Sequence, residues 1–345
     1  DRLPYTFVRR QRFAPLSQQD RRLAASAVGR VRAAQGGTLP PPVPPDIDSP
    51  DSAGAGVAEL FYRLSSVKIA DNQSPRPQDR FFYTFNYFND MGADYNQRGL
   101  APYKNVDVYH QLFGFEKTFL DELVSVGLRL PVNTVRTQST FQGYKGSDTD
   151  IGHLSIFFKG VLWQDDQTGN LVSMGLNVTA PTGPGAFAGS SFYPYYRSTA
   201  LQPFLGYIFN FGDFFLHGFS AVDVPVDDRD VTMMFNDIGV GYLAYRDDHP
   251  NAVLTALVPT FEVHINTPLN HRGYKFDDLA STPDIVNLTF GGNIELFHNT
   301  VLTGAYVCPM TGPQVFDYEL VAQVNVFLGR RGQRAGSLAS MPLVR

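Results

Sequence analysis

The alternation of apolar and polar side chains near the end of the chain constrains its fold most. Between residues 316 and 328, the apolar parity holds Tyr318, Leu320, Ala322, Val324, Val326 and Leu328, and the other parity holds Asp317, Glu319, Gln323 and Asn325. Successive side chains of a β-strand point to opposite faces, so this pattern predicts a strand with one apolar and one polar face. A soluble sheet buries the apolar face, whereas a transmembrane barrel turns that face to lipid.

The rest of the composition allows a large β-domain. The chain has 345 residues, of which 43% are hydrophobic and 13% aromatic, but it contains no run of about 18 apolar residues. This excludes a helical membrane protein, so membrane residence would have to come from strands. The single Cys308 cannot form an internal disulfide, and we interpret it as a small buried or lipid-facing apolar side chain. The first residue, Asp1, fits a mature form after removal of a signal peptide and equally fits a trimmed chain.

Residues 1–56 are predicted to form a basic arm and a linker outside the barrel. Eight Arg against two Asp give residues 1–36 a net charge of +6. A capping pattern at Ser17, followed by apolar residues at helical spacing, predicts a helix in this arm. Residues 40–45 predict a polyproline II spacer. We expect the arm to dock on an acidic partner, such as an anionic membrane surface or a periplasmic cell-wall polymer; a solvated helix or disordered tail is the alternative. The arginines assigned to this contact are Arg9, Arg10, Arg12, Arg21, Arg22, Arg30 and Arg32.

Residues 57–80 predict a short helix and a lead-in, because apolar residues recur at helical spacing from Val57 to Val67. We place this helix at the lower mouth of the barrel or inside it. We expect residues 81–328 to form the barrel and residues 329–345 to form a basic periplasmic tail. The predicted strands lie at 81–88, 106–116, 122–133, 151–162, 171–181, 201–211, 214–225, 234–246, 252–266, 285–297, 300–309 and 316–328.

The connections between these strands alternate between long and short. Long, polar connections of about 17 to 19 residues alternate with tight turns such as Gly212–Asp213. The alternation favours an all-β, transmembrane, antiparallel up-and-down barrel of about 12 strands, since a sandwich has no reason to produce it. An even strand number places both termini in the periplasm. A soluble lipocalin-like container or β-sandwich is the alternative fold.

Several segments carry a resemblance to a known family. They are DRFFYTFNYFND (79–90), FGFEKTFLD (113–121), VGLRLPVNT (126–134), LQPFLGYIFNFGDFF (201–215), FNDIGVGYLAYRD (235–247), PTFEVHINTPLNHRG (259–273) and TGPQVFDYELVAQVNV (311–326). Together they resemble the predicted outer-membrane β-barrel porins of planctomycete-type bacteria, and are loosely similar to transporter-like barrels of aromatic-degradation operons. The resemblance covers residues 75–328 and implies a barrel in the bacterial outer membrane more firmly than it implies a transported solute.

The sequence offers no convincing catalytic or cofactor site. Glu262 and His264 share a strand face and His271 follows in a loop, but two ligands and a flexible third are weak evidence for a metal. A polar strand face that lines a lumen explains the same pattern. No Ser, His and Asp residues show the spacing of a nucleophile elbow. We therefore expect no enzyme, no metal, no cofactor and no nucleic-acid partner.

Two functional classes remain open. The first is an outer-membrane porin, a channel for passive diffusion of small hydrophilic solutes through a polar lumen. The second is a structural anchor, in which the barrel is the membrane base and the basic arm contacts a neighbour. In both cases we expect contact with outer-membrane lipid and lipopolysaccharide, and assembly into a homo-oligomer.

Charge predicts a weak cation preference for a channel. Subtracting the +6 of residues 1–36 and the +4 of residues 329–345 from the net −5 leaves −15 for residues 37–328. Three aspartates of the linker account for −3, so the barrel and its loops carry about −12. A lumen with this charge would concentrate cations, more strongly at low salt. The residues predicted to line the pore are Arg129, Lys159, Asp237, Glu262, His264, Glu295, Asp317 and Glu319.

Overall fold

A computed structural model describes residues 72–92, 103–139, 145–185, 188, 198–247, 249–273, 282–312 and 314–328. The predicted arm at 1–56, the helix at 57–67 and the tail at 329–345 lie outside these residues. The strands are β1 (Arg80–Asn89), β2 (Tyr103–Phe119), β3 (Val124–Ser139), β4 (Lys145–Ile151), β5 (Ser155–Asp165), β6 (Asn170–Thr179), β7 (Ala200–Phe211), β8 (Phe214–Pro225), β9 (Met233–Tyr242), β10 (Tyr245–Arg246), β11 (Leu254–Pro268), β12 (Ile285–Leu296), β13 (Thr300–Pro309) and β14 (Tyr318–Phe327).

The sheet closes on itself. Strand β1 pairs with β14, and β9 pairs with β11, each antiparallel. Strands β4 and β5 both pair with β3, so together they make one interrupted barrel strand, and β9 with β10 makes another along β11. The described residues thus form a closed antiparallel barrel of twelve strands, in which each strand pairs with its neighbours in the sequence. The predicted up-and-down barrel is confirmed.

The barrel has an apolar outside and a polar inside. In β9, Ile238 is 44% exposed and Val240 is 46% exposed, whereas Asp237, the residue before Ile238, is only 2% exposed. The same alternation leaves Leu320 and Val324 exposed in β14 while Gln323 is buried. Soluble proteins bury such apolar side chains, so an outer surface built from them is the surface that lipid covers in a transmembrane barrel. Among the described residues, none belongs to a helix that could span a membrane.

Several strands run further than the alternation predicts. Strand β3 continues to Ser139 instead of ending near residue 133, and β4 occupies residues predicted to be a loop. In this extension Asp107 of β2 lies opposite Arg136 of β3. The apolar and polar alternation marks only the part of a strand that lipid covers, while backbone pairing needs no apolar face and continues beyond it. For the same reason the predicted connection at 163–170 shrinks to the turn at 166–169.

Aromatic rings fill part of the interior by lying over glycines of the neighbouring strand. A Cβ atom at Gly127 would overlap the ring of Phe157, and one at Gly175 would overlap the ring of Phe204. Pairs of this kind also join Phe82 to Gly114 and Phe215 to Gly241. Glycine weakens a strand because it has no side chain to pack, and the cross-strand ring supplies that packing. The lumen is therefore narrowed by side chains.

This packing predicts that Gly127→Val destabilises the barrel. The added side chain would displace Phe157 and approach the carbonyl oxygen of Phe115, where a Cβ would already stand at 2.7 Å. Overpacking of this kind costs about 1–3 kcal/mol. Thermal unfolding of the detergent-solubilised protein measures the loss. Gly304→Val is the matched control, because none of the described residues has an atom within 4 Å of a Cβ there, and it should change stability by less than about 0.5 kcal/mol. Equal effects of the two substitutions would contradict the packing argument.

Candidate functional site

The segment that precedes the first strand lies inside the lumen. We call residues 72–79 the lead-in segment, and we call the end of the barrel with the turns at 120–123, 166–169, 212–213 and 297–299 the short-turn end. Within the segment Asn72 is buried, and a Cβ at the inward-facing Gly206 would stand 3.1 Å from the Cβ of Pro75. The lead-in segment therefore occupies the lumen at the short-turn end.

Two cationic side chains hold the lead-in segment there. Lys159 of β5 donates hydrogen bonds to the carbonyl oxygens of Ser74 at 2.7 Å and Arg76 at 3.0 Å. The Arg76 guanidinium in turn donates to the carbonyl of Gly169, in the turn after β5, at 2.9 Å. Hydrogen bonds to charged donors are about twice as strong as neutral ones, so these contacts fix the path of the segment.

The bonds of Lys159 belong to a buried charge network, formed by Arg80, Glu116 and Lys159. Glu116 of β2 is completely buried and accepts from Arg80 Nε at 3.0 Å and from Lys159 Nζ at 2.7 Å. Ser125 Oγ and the backbone N–H of Gln78 complete its partners, at 2.7 and 3.2 Å. A buried carboxylate is stable only when its oxygens are paired in this way. The network links three barrel strands to the lead-in segment.

Arg80 extends the network to the closing strand. Its Nη1 donates to Oδ1 of Asn72 and to Oδ1 of Asn325 in β14, each at 2.8 Å. Sequence analysis missed both Arg80 and Glu116. Arg80 lies one residue before the predicted start of β1, whereas Glu116 shares the inward parity of Leu112 and could have been found from that parity.

A second polar cluster joins β8, β9, β11 and β12. His264 Nδ1 lies 2.7 Å from Oδ1 of Asp237, and its Nε2 lies 2.8 Å from Oγ1 of Thr289. Glu262 stands between two imidazoles, 3.4 Å from His264 Nε2 and 3.5 Å from His217 Nε2. The structure thus brings together three of the residues predicted for the lumen, and adds His217 and Thr289, which the sequence analysis missed.

The row Asp237, His264 and Thr289 has the order of groups found in a nucleophilic triad, but its setting differs. Thr289 lies within β12, and its backbone pairs on both sides, with Glu262 and Val307. The peptide N–H group of Thr289 belongs to this strand pairing. Acyl transfer instead needs N–H donors aimed at the developing oxyanion. The row instead satisfies buried polar groups across adjacent strands.

The other predicted lumen residues occupy separate places. Arg129 is buried with its guanidinium carbon 4.7 Å from the ring centre of Phe157. Glu295 accepts from Thr255 at 3.0 Å, and Glu319 accepts from Asn86 at 2.7 Å, and both carboxylates are buried. Asp317 precedes β14 and is exposed at the opposite end from the short turns.

His271 is also outside the lumen cluster. It lies in the connection after β11, where its Nε2 is 3.2 Å from the carbonyl oxygen of Asp228. In the described part of the chain, no group of three or more His, Cys, Asp or Glu side chains is placed to hold a metal ion.

Asp79 fixes the base of the lead-in segment to β2. Its carboxylate accepts from the backbone N–H of Thr118 at 2.6 Å and pairs with Lys117. Burial raises the pKa of Asp79, but the hydrogen bonds from Lys117 and Thr118 outweigh it and hold the pKa below its usual range. A carboxylate with a lowered folded-state pKa stabilises the fold above its unfolded pKa, and this stabilisation is lost as the pH falls through the lowered value.

A cavity of about 200 Å³ lies between the lead-in segment and the inward faces of β7, β8 and β11 to β14. Arg76 and Arg80 border it on one side, and Glu262 and His217 on another. It joins the two polar clusters, and we call it the lumen cavity.

The charge network predicts that Glu116→Gln strongly destabilises the barrel. The substitution leaves Arg80 and Lys159 buried without their shared carboxylate, and breaking a buried ion pair in this way costs about 3–5 kcal/mol. Thermal unfolding in detergent measures the effect. Lys117→Met removes the more exposed pair with Asp79 and should cost less than about 1 kcal/mol. A Glu116→Gln barrel as stable as the Lys117→Met barrel would show that the network does not stabilise the fold.

Comparison with solved structures finds one outer-membrane channel with a similar fold, and weaker matches. An outer-membrane channel from Pseudomonas putida F1 superposes with a TM-score of 0.52 at 11% identity, over 76% of this chain and 100% of that chain. The β-domain of the Bordetella autotransporter BrkA gives a TM-score of 0.46 at 12% identity, over 73% of this chain and 100% of that one. The NanC porin gives 0.42 at 10% identity, over 72% of this chain and 100% of that one.

The sequence comparisons add no family. No protein-family model matches the chain, and no curated protein matches it. The likeness to solved structures therefore concerns the fold, and the resemblance to the planctomycete family remains a prediction.

Proposed function

We propose that this protein is a porin-like channel of the bacterial outer membrane, through which small hydrophilic solutes diffuse passively. The observation that carries the proposal is the inverted barrel, with exposed apolar side chains outside and buried polar and charged side chains inside. A lumen lined by polar groups offers water and solutes a path through the hydrocarbon. The likeness in fold to the Pseudomonas putida channel supports this function. A passive channel of this kind catalyses no reaction and needs no cofactor.

The interior limits the size of the solute. Inward-facing rings such as Phe157 and Phe204 cover glycines, and the lead-in segment occupies the lumen at the short-turn end. Barrels of eight strands are filled by side chains and those of sixteen hold open channels, so twelve strands lie between these limits. A narrow path favours small molecules and low conductance.

The proposed selectivity is a weak preference for cations. The contacts make the preference weak, because Glu116 is balanced by Arg80 and Lys159 and Asp237 contacts His264. Glu262 borders the lumen cavity and is the predicted pore carboxylate that a passing ion would meet there. The excess negative charge of the barrel and its loops acts in the same direction.

Reversal potentials in a potassium chloride gradient test this selectivity in planar bilayers. We expect ion steps of defined size, a modest cation preference that grows as salt is lowered, and a smaller preference in Glu262→Gln, because that change removes the charge next to the cavity. A protein with Glu262, Glu295 and Glu319 all replaced by Gln should lose more. Silent bilayers would contradict the channel, and an anion-selective wild type would contradict the role of these carboxylates.

The alternative function is a structural outer-membrane anchor, and the basic arm motivates it. Residues 1–36 carry a net +6, and residues 40–45 form a proline-rich spacer in the sequence. We propose that this arm contacts an acidic partner or a neighbouring copy, with both termini in the periplasm and lipopolysaccharide around the barrel. The two functions are compatible, because the proposed contact of the arm does not require the lumen.

Deletion of residues 1–45 tests the arm. All strands of the barrel lie after these residues in the sequence, so the shortened barrel should fold with the same thermal stability but change its oligomeric state or its retention in the membrane. Size-exclusion chromatography with light scattering measures the oligomer. As a control, replacement of the seven partner-contact arginines by Gln should reproduce the change without shortening the chain. An unaltered oligomer and unaltered retention after deletion would count against this role.

A further inference from the structure

The lumen cavity has the dimensions of a site for a small molecule. Its volume of about 200 Å³ is below the 300–1,000 Å³ typical of pockets for drug-sized ligands. It lies across the lumen at the short-turn end, bounded by the lead-in segment, so a solute that passes through the barrel meets it. Its occupant is therefore a small solute, and its chemistry follows from the side chains on the wall.

Neutral polar groups are numerous on the wall formed by the barrel strands. The hydroxyl and amide side chains that border the cavity there are Asn210, Thr260, Thr289, Asn293, Thr303, Gln323 and Asn325. Asn293, Thr303 and Gln323 lie directly opposite one another on β12, β13 and β14, so they form one continuous row. Side chains in such positions stand about 4.5–5.5 Å apart at their Cβ atoms. This spacing lets neighbouring groups bind adjacent hydroxyls of one ligand.

Gln323 provides a donor that no described residue accepts from. Its side chain is 5% exposed, it borders the cavity, and its Nε2 atom has no hydrogen-bond partner among the described residues. A buried amide donor without an acceptor costs about 1–3 kcal/mol, and a ligand oxygen in the cavity would remove that cost. Its neighbour Thr303 donates to Asn293 Oδ1 at 2.6 Å, which leaves the Thr303 oxygen able to accept.

The charged groups at the cavity do not favour a charged ligand. Arg80 is engaged by Glu116, Asn72 and Asn325, and Arg76 donates to the carbonyl of Gly169. Glu262 lies beside His217 on the opposite wall and would repel an anion. A cation would approach Glu262 but would also face the two arginines. A neutral ligand with many hydroxyl groups meets neither penalty and matches the amides and hydroxyls.

The wall also offers apolar surface. The rings of Phe215 and Phe327 border the cavity together with Val301 and Val321. A sugar ring combines hydroxyl groups at its edge with apolar C–H faces, so both parts of this wall would be occupied. A small inorganic ion would leave the apolar part without a partner.

We propose that the lumen cavity is a saturable binding site for a neutral polyhydroxylated solute of monosaccharide size. The row formed by Asn293, Thr303 and Gln323 binds its hydroxyl groups, and Gln323 donates to one ligand oxygen. The proposal rests on the proposed channel and names its class of solute. The solute would bind in the cavity as it diffuses through the barrel. No covalent bond forms or breaks in this role.

Calorimetric titration of the full-length, detergent-solubilised protein with D-glucose tests the site. We expect saturable binding that Gln323→Leu weakens by about tenfold, the loss expected for one hydrogen bond. Gln202→Leu is the matched control, because Gln202 of β7 is also buried and luminal, and its Nε2 also has no partner in the described part of the chain, but it does not border the cavity. It should bind D-glucose like the wild type.

Several results would overturn the assignment. No saturable binding by the wild type, equal weakening by both glutamine substitutions, or tighter binding of the zwitterion alanine than of D-glucose would each do so. If Gln323→Leu does not fold, Thr260→Val removes a different hydroxyl of the wall with nearly unchanged shape, and it should also weaken binding.

Conductance separates this proposal from the channel itself. A protein that conducts ions in planar bilayers but does not bind D-glucose keeps the proposed function and loses the solute site. A protein that binds D-glucose but stays silent in bilayers loses the channel and keeps the site.

Discussion

The whole structure depends on the closure of the sheet between β1 and β14. In hydrocarbon no water can satisfy backbone N–H and C=O groups, so a spanning sheet has to leave no edge strand. Ten residues of β1, from Arg80 to Asn89, find their partners in β14 along this seam. The closure also creates an inside, and the positions of all luminal side chains follow from it.

Confinement changes the energetics of the polar parity. On an open sheet these side chains would be solvated, but inside a twelve-stranded barrel many of them are removed from water and need partners. Glu116 with Arg80 and Lys159, and Asp237 with His264, show how the interior meets this need. The groups that make the lumen polar therefore also hold neighbouring strands together. Because carboxylates and cations neutralise one another, the interior field is weaker than the net charge of the chain suggests.

The lead-in segment turns a simple barrel into one with a defined interior site. Its carbonyl groups at Ser74 and Arg76 bind Lys159, and its base is held by Asp79 against β2. A segment with free carbonyls would be costly in a lumen without donors, and the cationic side chains supply those donors. The space left between this segment and the opposite wall is the lumen cavity, so the polar network and the cavity have a common origin.

The amino-acid sequence determined the strands, their number and the face that each turns to lipid. Alternation is a local property with a period of two, so segments such as 171–181 and 285–297 showed it clearly, and they correspond to β6 and β12. The inward parity of Arg129, Lys159, Asp237, Glu262, His264, Glu295 and Glu319 was readable in the same way.

Only the tertiary structure decided which inward groups meet. Arg80 finds Asn325 across 245 positions of the sequence, and His264 finds Asp237 across 27. These contacts depend on the register between strands and on closure, neither of which leaves a local pattern. The structure also set the true ends of β3 and the path of the lead-in segment, because backbone pairing and luminal hydrogen bonds continue where the contact with lipid, and with it the alternation, ends.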